Sequence, residues 1–208
     1  MLKTNLAGVQ LETPLVLASG VLGLTASGMK RVIDFGAGAV TTKSTGIEPR
    51  AGHKAPSILP FPHGMLNAVG LSNPGMEWMA QEISEFRSVS RGKLIASVFG
   101  RTPEEFALVA DRLMEARPDM IEANVSCPNV RSEFGEPFGA NVEATVEITR
   151  LLKRVCIGVP LSIKLTVNCP SIARMALAVE EAGADCVTAI NTAGPGMLID
   201  INTRRPIL

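Results

Sequence analysis

The chain has 208 residues, 46% of them hydrophobic and 19% charged, the balance of a folded protein with a core of its own, not of a disordered one. Twenty Lys and Arg stand against twenty Asp and Glu, which removes the electrostatic case for nucleic acid or an anionic membrane surface, and one Trp with no Tyr removes a base-stacking platform. Cys127, Cys156, Cys169 and Cys186 form no C-x-x-C pair, and His53 and His63 are the only histidines, so neither a metal site nor an iron–sulfur site is expected. The start is polar, without a signal-peptide core, and no apolar run has the length of a membrane span. With cysteines that a chain this apolar does not need as staples, the expectation is a soluble cytoplasmic protein.

Taken in chain order, Leu2 to Leu11 reads as an opening hairpin with Gly8 at its turn. Pro14 to Ala18 (PLVLA) reads as a buried strand, and Ala26 to Phe35 as a helix closed by Gly36 and Gly38. Ala39 to Thr42 is the next strand. Pro74 to Ser88 has helical periodicity with Trp78, Ile83 and Phe86 on the apolar side. The strand Lys93 to Val98 follows. Thr102 then caps a helix running to about Ala116, with Pro103 at its first position and Glu105 three residues after the cap, the pattern of a capping box. Met120 to Val125 is a strand, Asn141 to Val155 a helix, Leu161 to Leu165 a strand, Ser171 to Ala182 a helix stopped by Gly183, and Cys186 to Ile190 a strand. The segment from Gly196 onward reads as a further excursion.

Strands alternating with helices predict a parallel sheet, and no linker divides the chain, so residues 1–208 are read as one domain. An open doubly wound sheet and a closed (β/α)8 barrel both fit the alternation. The dinucleotide fingerprint is missing: Ala18-Ser19-Gly20-Val21-Leu22-Gly23 lacks its first glycine. The polar residues favour the barrel. Ser19, Lys43, Asn124, Lys164 and Asn191 each sit at or just past the C-terminal end of a predicted strand, and in a parallel barrel those ends meet at one mouth, where barrel enzymes hold their chemistry.

Lys164 stands inside the apolar strand SIKL. Burying an unpaired ammonium is costly, so its stem either snorkels to the rim or its charge serves a ligand, as a Schiff-base amine or as a cation for an anionic group. Lys43, in TTKSTG, has small polar neighbours that suit close approach of a ligand, and equally reads as a solvated loop lysine. Cys127 follows strand MIEAN in NVSCPN, where Pro128 stiffens a turn flanked by Asn124 and Asn129. A lone cysteine is more often a small buried hydrophobe than a catalyst, and the other three keep that reading. Met65 to Gly75 (MLNAVGLSNPG) reads as a long loop ending at a helix, generic or folded over a ligand.

The pieces TTKSTG, MLNAVGLSNPG, NVSCPNV, SIKL and AINTAG, in this order, resemble those of the dihydroorotate dehydrogenases over essentially the whole chain. The cysteine in NVSCPNV resembles the soluble class 1 enzymes, and GMLIDINTRRPIL resembles their NAD-linked 1B branch more than the fumarate-linked 1A branch. The resemblance implies a TIM barrel that binds FMN at its mouth and oxidises dihydroorotate to orotate in pyrimidine synthesis. It makes Cys127 the base. It assigns flavin contacts to Ser19, Gly20, Lys43, Ser44, Asn124, Lys164 and Ile190, with Lys164 beside the anionic edge of the reduced ring. It assigns substrate contacts to Lys43, Asn67, Ala68, Val69, Gly70, Leu71, Asn124, Asn191 and Thr192. It also implies a homodimer, joined in the 1B branch by an electron-transfer subunit carrying FAD and a 2Fe–2S cluster.

Two departures stand beside it. A closed barrel takes eight strands from about 250 residues, whereas about six are read here. The family's phosphate-binding turns on its last two strands have no match, so the expectation is a barrel truncated after the sixth strand, either active when completed or an inactive fragment. Ser97 stands where the related branch often has asparagine facing the flavin, a shorter group for that contact. Two other enzyme readings remain beside the main one: a Schiff-base lyase using Lys164, and a related dihydropyrimidine dehydrogenase.

Overall fold

A computed structural model describes residues 2–125 and 138–208. The chain opens with the antiparallel hairpin β1 (Thr4–Leu6) and β2 (Val9–Leu11), turning at Gly8 with φ +90°. β3 (Val16–Leu17) leads into α1 (Ala26–Asp34), whose N-cap Thr25 accepts from the Gly28 amide. β4 (Ala39–Thr41) is followed by a second hairpin, β5 (Ile58–Phe61) and β6 (Gly64–Asn67), and then α2 (Met76–Val89). β7 (Lys93–Val98), α3 (Pro103–Met114), β8 (Met120–Asn124), α4 (Val142–Val155), β9 (Leu161–Lys164), α5 (Ile172–Glu181) and β10 (Cys186–Thr188) complete the alternation. β11 (Ile199–Asp200) and β12 (Arg205–Pro206) form a last small hairpin.

Six strands pair in parallel in the order β3-β4-β7-β8-β9-β10. Spatial order follows chain order without reversal. Right-handed crossovers that all advance the same way put every helix on one face, the arrangement of a β/α barrel; a doubly wound sheet reverses once and carries helices on both faces. Side chains show the curl. Asn124 on β8 donates to Ser44 just past β4, at 3.1 Å, and Thr188 on β10 donates to Glu122 on β8, at 2.9 Å. Each bond reaches across an intervening strand. In a flat sheet, strands two apart are separated by roughly 9.5 Å, so the inner face is concave.

The period of two along each strand sorts the core into two layers. Val40, Leu94, Ala96, Ile121, Ala123, Leu161 and Ile163 point outward and pack under Met29, Ile83, Phe86, Phe106, Leu113, Ile148, Leu152 and Val179 from the helices. On the concave side Ala39, Ile95 and Met120, near the N-terminal strand ends, pack with Leu11, Leu6 and Val9, so the opening hairpin covers that end. Above this apolar floor the concave face turns polar, through Ser97, Glu122 and Ser162 in one register row and Asn124, Lys164 and Thr188 in the next.

Four expectations change. The strand read as buried from Pro14 to Ala18 is the two-residue β3 at the edge of the sheet, with Leu15 and Val16 67% and 37% exposed. Trp78 is 36% exposed while its neighbour Met79 is fully buried; the burial stripe of α2 runs through Met79, Ala80, Ile83 and Phe86, one position on. Thr102 accepts from the Glu105 amide, but the Glu105 carboxylate accepts from the Arg101 amide and guanidinium instead of returning to the cap residue. The stretch read as a loop from Met65 begins as strand β6, paired Ile58 to Asn67 and Phe61 to Gly64; Pro60 and the exposed positions around it hid the alternation of a two-stranded, half-solvated hairpin.

Candidate active site

The C-terminal ends of the six strands carry the polar residues singled out from the sequence. Ser19 follows β3, Lys43 and Ser44 follow β4, Asn124 ends β8, Lys164 ends β9, and Ile190 and Asn191 follow β10. The structure brings most of them into one hydrogen-bonded group. Ser44 Oγ lies 3.0 Å from Ser19 Oγ, 2.9 Å from Ser97 Oγ and 3.1 Å from Asn124 Nδ2. Asn191 Nδ2 donates to Asn124 Oδ1 at 3.3 Å. Asn67, at the end of β6, reaches over to Thr192 Oγ1 at 3.3 Å, so the second hairpin leans across the same end of the sheet.

Tight backbone packing sets this rim. Gly23 lies against β4 so closely that a Cβ would stand 2.2 Å from the Thr41 carbonyl oxygen, and the Lys43 amide donates to the Gly23 carbonyl. Any side chain at position 23 would push Lys43 and Ser44 out of place. Gly20 is open, with nothing within 4 Å of a Cβ there. Ala68 and Val69 run on from β6, the Ala68 amide donating to the Ser57 carbonyl and the Val69 carbonyl accepting from the His53 amide. Gly70 and Leu71 follow with φ of +69° and +55°. Asn73 pins this turn: its Oδ1 accepts from the amides of Gly46 and Gly75, and its Nδ2 donates to the Leu71 carbonyl.

The electrostatics centre on two lysines. Lys164 is 5% exposed, and among the described residues its ammonium makes no hydrogen bond or ion pair. Lys43 is half-buried. Burial, and after it the nearby charge of Lys164, hold its ammonium below the ordinary lysine value. Two like charges converging on one buried place, one of them without a counter-ion among the described residues, are costly. They suit a ligand that brings or develops negative charge beside them. The amides of Asn67, Asn124 and Asn191 around them both donate and accept, as a ring bearing alternating N–H and C=O groups requires. A flat, anionic, amide-like ring system fits this donor set. Snorkelling does not describe Lys164, whose whole side chain is inside. Cys127, with Pro128 and Asn129, lies outside the described residues.

Glu122 was not singled out from the sequence, nor was the role of Asn73. Glu122 is 4% exposed on the concave face, directly beneath Asn124. The signal was a lone acidic residue at an inward position of the otherwise apolar strand MIEAN. Ser97 is fully buried and engages Ser44 and Glu122. Of the three cysteines described, Cys169 and Cys186 are half-buried, whereas Cys156 is buried in the outer layer, and that burial pushes its thiol up to about 12. No helix among the described residues is long and apolar enough to cross a membrane.

Known proteins give the arrangement its context. The family model described as dihydroorotate dehydrogenase matches residues 1–208. The catalytic subunit of dihydroorotate dehydrogenase B (NAD(+)) from Methanothermobacter thermautotrophicus is 44% identical over all of this chain and 67% of its own length. The proteins of the same name from Methanocella arvoryzae and Pyrococcus abyssi are 46% and 44% identical, over 98% and 100% of this chain and 66% and 68% of theirs. The chain thus spans about two thirds of the relatives it matches. Among solved structures, ligand-free dihydroorotate dehydrogenase from Eimeria tenella superposes with a TM-score of 0.79 at 16% identity, over 92% of this chain and 62% of that one. That likeness is one of fold, and it identifies the concave six-stranded sheet as part of a (β/α)8 barrel. Matched by the family model from end to end, and by relatives above 40% identity, the chain belongs to the dihydroorotate dehydrogenase family.

Proposed function

We propose that the chain takes part in the FMN-dependent oxidation of (S)-dihydroorotate to orotate, a step of pyrimidine synthesis, with NAD+ as the final acceptor. The observation that carries this reading is the buried Lys164 ammonium beside Lys43 inside a rim of three asparagine side chains. The relatives named dihydroorotate dehydrogenase B (NAD(+)), catalytic subunit, supply the substrate class and the acceptor.

Bound FMN supplies the two-electron acceptor for the hydride that leaves dihydroorotate C6. The chain's own residues do the rest. Lys164 holds a fixed cation where negative charge collects as the ring system is reduced, a form of electrostatic preorganisation that needs no reorientation during the reaction. Ser19, Gly20, Ser44 and Ile190 would border the flavin. Lys43 and Asn124 would contact both flavin and substrate. Asn67, Asn191 and Thr192 pair with the substrate's amide groups, and the turn Ala68-Val69-Gly70-Leu71 closes over it with backbone groups. Cys127 takes the C5 proton, and its thiol must ionise to do so. The loss of a hydride and a proton balances the new C5–C6 double bond. The word subunit in the relatives' names supports a partner chain, which we assign as an electron-transfer subunit with FAD and a 2Fe–2S cluster on a homodimer of the catalytic chain. We place the protein in the cytoplasm.

The test is the visible spectrum of the purified chain after addition of FMN and desalting, followed by anaerobic dihydroorotate. Retained yellow colour that bleaches on addition of dihydroorotate, but not of dihydrouracil, is expected. Lys164→Ala should weaken FMN binding roughly 10- to 100-fold, the size of one charge-assisted hydrogen bond. Cys127→Ser should keep the colour and slow the bleaching. Bleaching by dihydrouracil instead, or trapping of a carbonyl substrate on Lys164 by borohydride, would replace this reading by one of its competitors.

A further inference from the structure

We infer that Glu122, a residue buried beneath the site, is a positioning residue that sets the direction of five hydroxyls in the barrel's polar layer, those of Ser97, Ser44, Ser19, Thr188 and Ser162, and so makes Ser19 an obligate hydrogen-bond acceptor at the rim. The inference rests on the flavin reading for its ligand and on hydrogen-bond stoichiometry for its mechanism.

A carboxylate only accepts, whereas a serine or threonine hydroxyl has one hydrogen to give and two lone pairs to receive. Glu122 Oε1 accepts from Ser97 Oγ at 3.2 Å, and Oε2 accepts from Thr188 Oγ1 at 2.9 Å. Each bond consumes the only hydrogen of its hydroxyl. Ser97 Oγ also meets Ser44 Oγ at 2.9 Å, so in that pair Ser44 must donate. Ser44 Oγ meets Ser19 Oγ at 3.0 Å, so there Ser19 must donate. Asn124 Nδ2 fills the other lone pair of Ser44 at 3.1 Å. On the other arm Thr188 Oγ1 meets Ser162 Oγ at 2.9 Å, and Ser162 must donate. All five hydroxyl hydrogens therefore point along the chain toward Glu122.

Two consequences reach the rim. Ser44 Oγ has one hydrogen and two lone pairs and all three are used, so its side chain has nothing left for a ligand. Ser19, having given its hydrogen inward, offers the rim lone pairs alone, and can bind an N–H but not a C=O. Oxidised flavin has a single ring N–H, at N3. Ser97, Ser44, Ser162 and Glu122 are each under 5% exposed, so the centre of the network is shielded from bulk water, and in such surroundings each bond polarises the next.

Two measurements on the full chain test this. The first is the preference for FMN over N3-methyl FMN, read from flavin fluorescence titrations. The native chain should prefer FMN by about tenfold, the worth of one hydrogen bond. In Glu122→Leu the Ser97 hydrogen turns to Ser44 and the arm reverses; in Ser97→Ala the Ser44 hydrogen turns to Ser19. Each variant should lower the preference several-fold, and the double variant should lower it no further than Ser97→Ala alone. A preference unchanged in both folded single variants, or effects that add in the double variant, overturns the proposal. The second measurement is neutron diffraction from deuterated native crystals, which needs no flavin. It should place deuterium from Ser19 toward Ser44, from Ser44 toward Ser97, and from Ser97 toward Glu122. Deuterium on Glu122, or the opposite sense at Ser44, refutes the mechanism. Failure of the native chain to bind either flavin would strike the flavin reading and leave the neutron result to decide this one.

Discussion

At Cys156 a thiol caps α4 within the apolar layer between sheet and helices, 2% exposed. Burial, partly opposed by Lys153, pushes its pKa up to about 12 from 9.0. The thiolate is the reactive species, so at pH 8 the folded chain should leave Cys156 unmodified by N-ethylmaleimide, and denaturant should release it. Peptide mass mapping before and after unfolding reads this directly; modification of native Cys156 at a rate comparable to a free thiol would show that the outer layer is not closed there. Because the folded pKa lies above the unfolded one, the thiol form stabilises the fold fully below about pH 9, and that contribution drains as pH rises from 9.0 toward about 12. The same chain thus holds cysteines in different surroundings, and the general expectation that a lone cysteine is a small hydrophobe describes Cys156 well.

At the scale of the elements, one device repeats at the N-terminal end of the sheet. Asp119 precedes β8; its amide donates to the Leu94 carbonyl and its carboxylate accepts from the Leu94 amide on β7. Asp185 precedes β10 and makes the same pair of bonds to Leu161 on β9. Each aspartate so latches its strand to the previous one in register, and each is met by a cation, Asp119 by Arg87 and Lys93, Asp185 by Lys153. Burial alone would raise both carboxyl pKa values. The strand amides and the cations outweigh it, and both lie below the ordinary 3.8. Since the folded pKa is depressed, each carboxylate stabilises the fold above the unfolded value and loses that contribution as pH falls through the folded one. Asp119→Ala should cost roughly 1–3 kcal/mol in urea unfolding at pH 7, and Asp185→Ala less, because its pair is more exposed, at 35% against 18% for the two carboxylates. The native advantage over either variant should vanish in acid, once the pH lies below the lowered values of the two carboxyls. An advantage that persists there would mean the aspartates act through packing. Gly-Ala-Asp and Pro-Asp before the two strands are visible in the sequence as turn residues; that both aspartates latch the same pair of backbone groups is not, because the partner strand lies one βα unit upstream.

For the whole molecule, local pattern made the alternating elements legible, since apolar runs and helix caps at Thr102, Asn141 and Ser171 are properties of short windows. The polar residues at strand ends were legible too, because a parallel sheet puts all such ends on one side. What was not legible depends on curvature. Lys43 and Lys164 stand on β4 and β9 with two strands between them, a separation of roughly 14 Å if the sheet were flat; curling brings their charges within reach of each other. Glu122 likewise has meaning only once Ser97 and Thr188 converge on it. The lysine pair therefore reports on barrel curvature. Burial and the Lys164 charge lower the Lys43 pKa, so between that lowered value and the ordinary 10.5 the unfolded chain holds more protons, and stability of the ligand-free protein rises with pH across that window. An anion bound between the two lysines raises the Lys43 pKa again. Binding then takes up protons, and affinity for FMN should be level with pH at first and fall as pH climbs through the lowered Lys43 value. Lys164→Met removes the charge term, so it should weaken binding at neutral pH and move that fall to higher pH, toward the ordinary lysine range, while Lys43→Met should abolish the fall and raise the melting temperature of the ligand-free chain. The measurement is FMN affinity by fluorescence from pH 6 to 10 for the three proteins. A fall at the same pH in the native chain and in Lys164→Met would mean that the two ammonium groups do not feel each other, and that the sheet is flatter at its mouth than its hydrogen bonds imply.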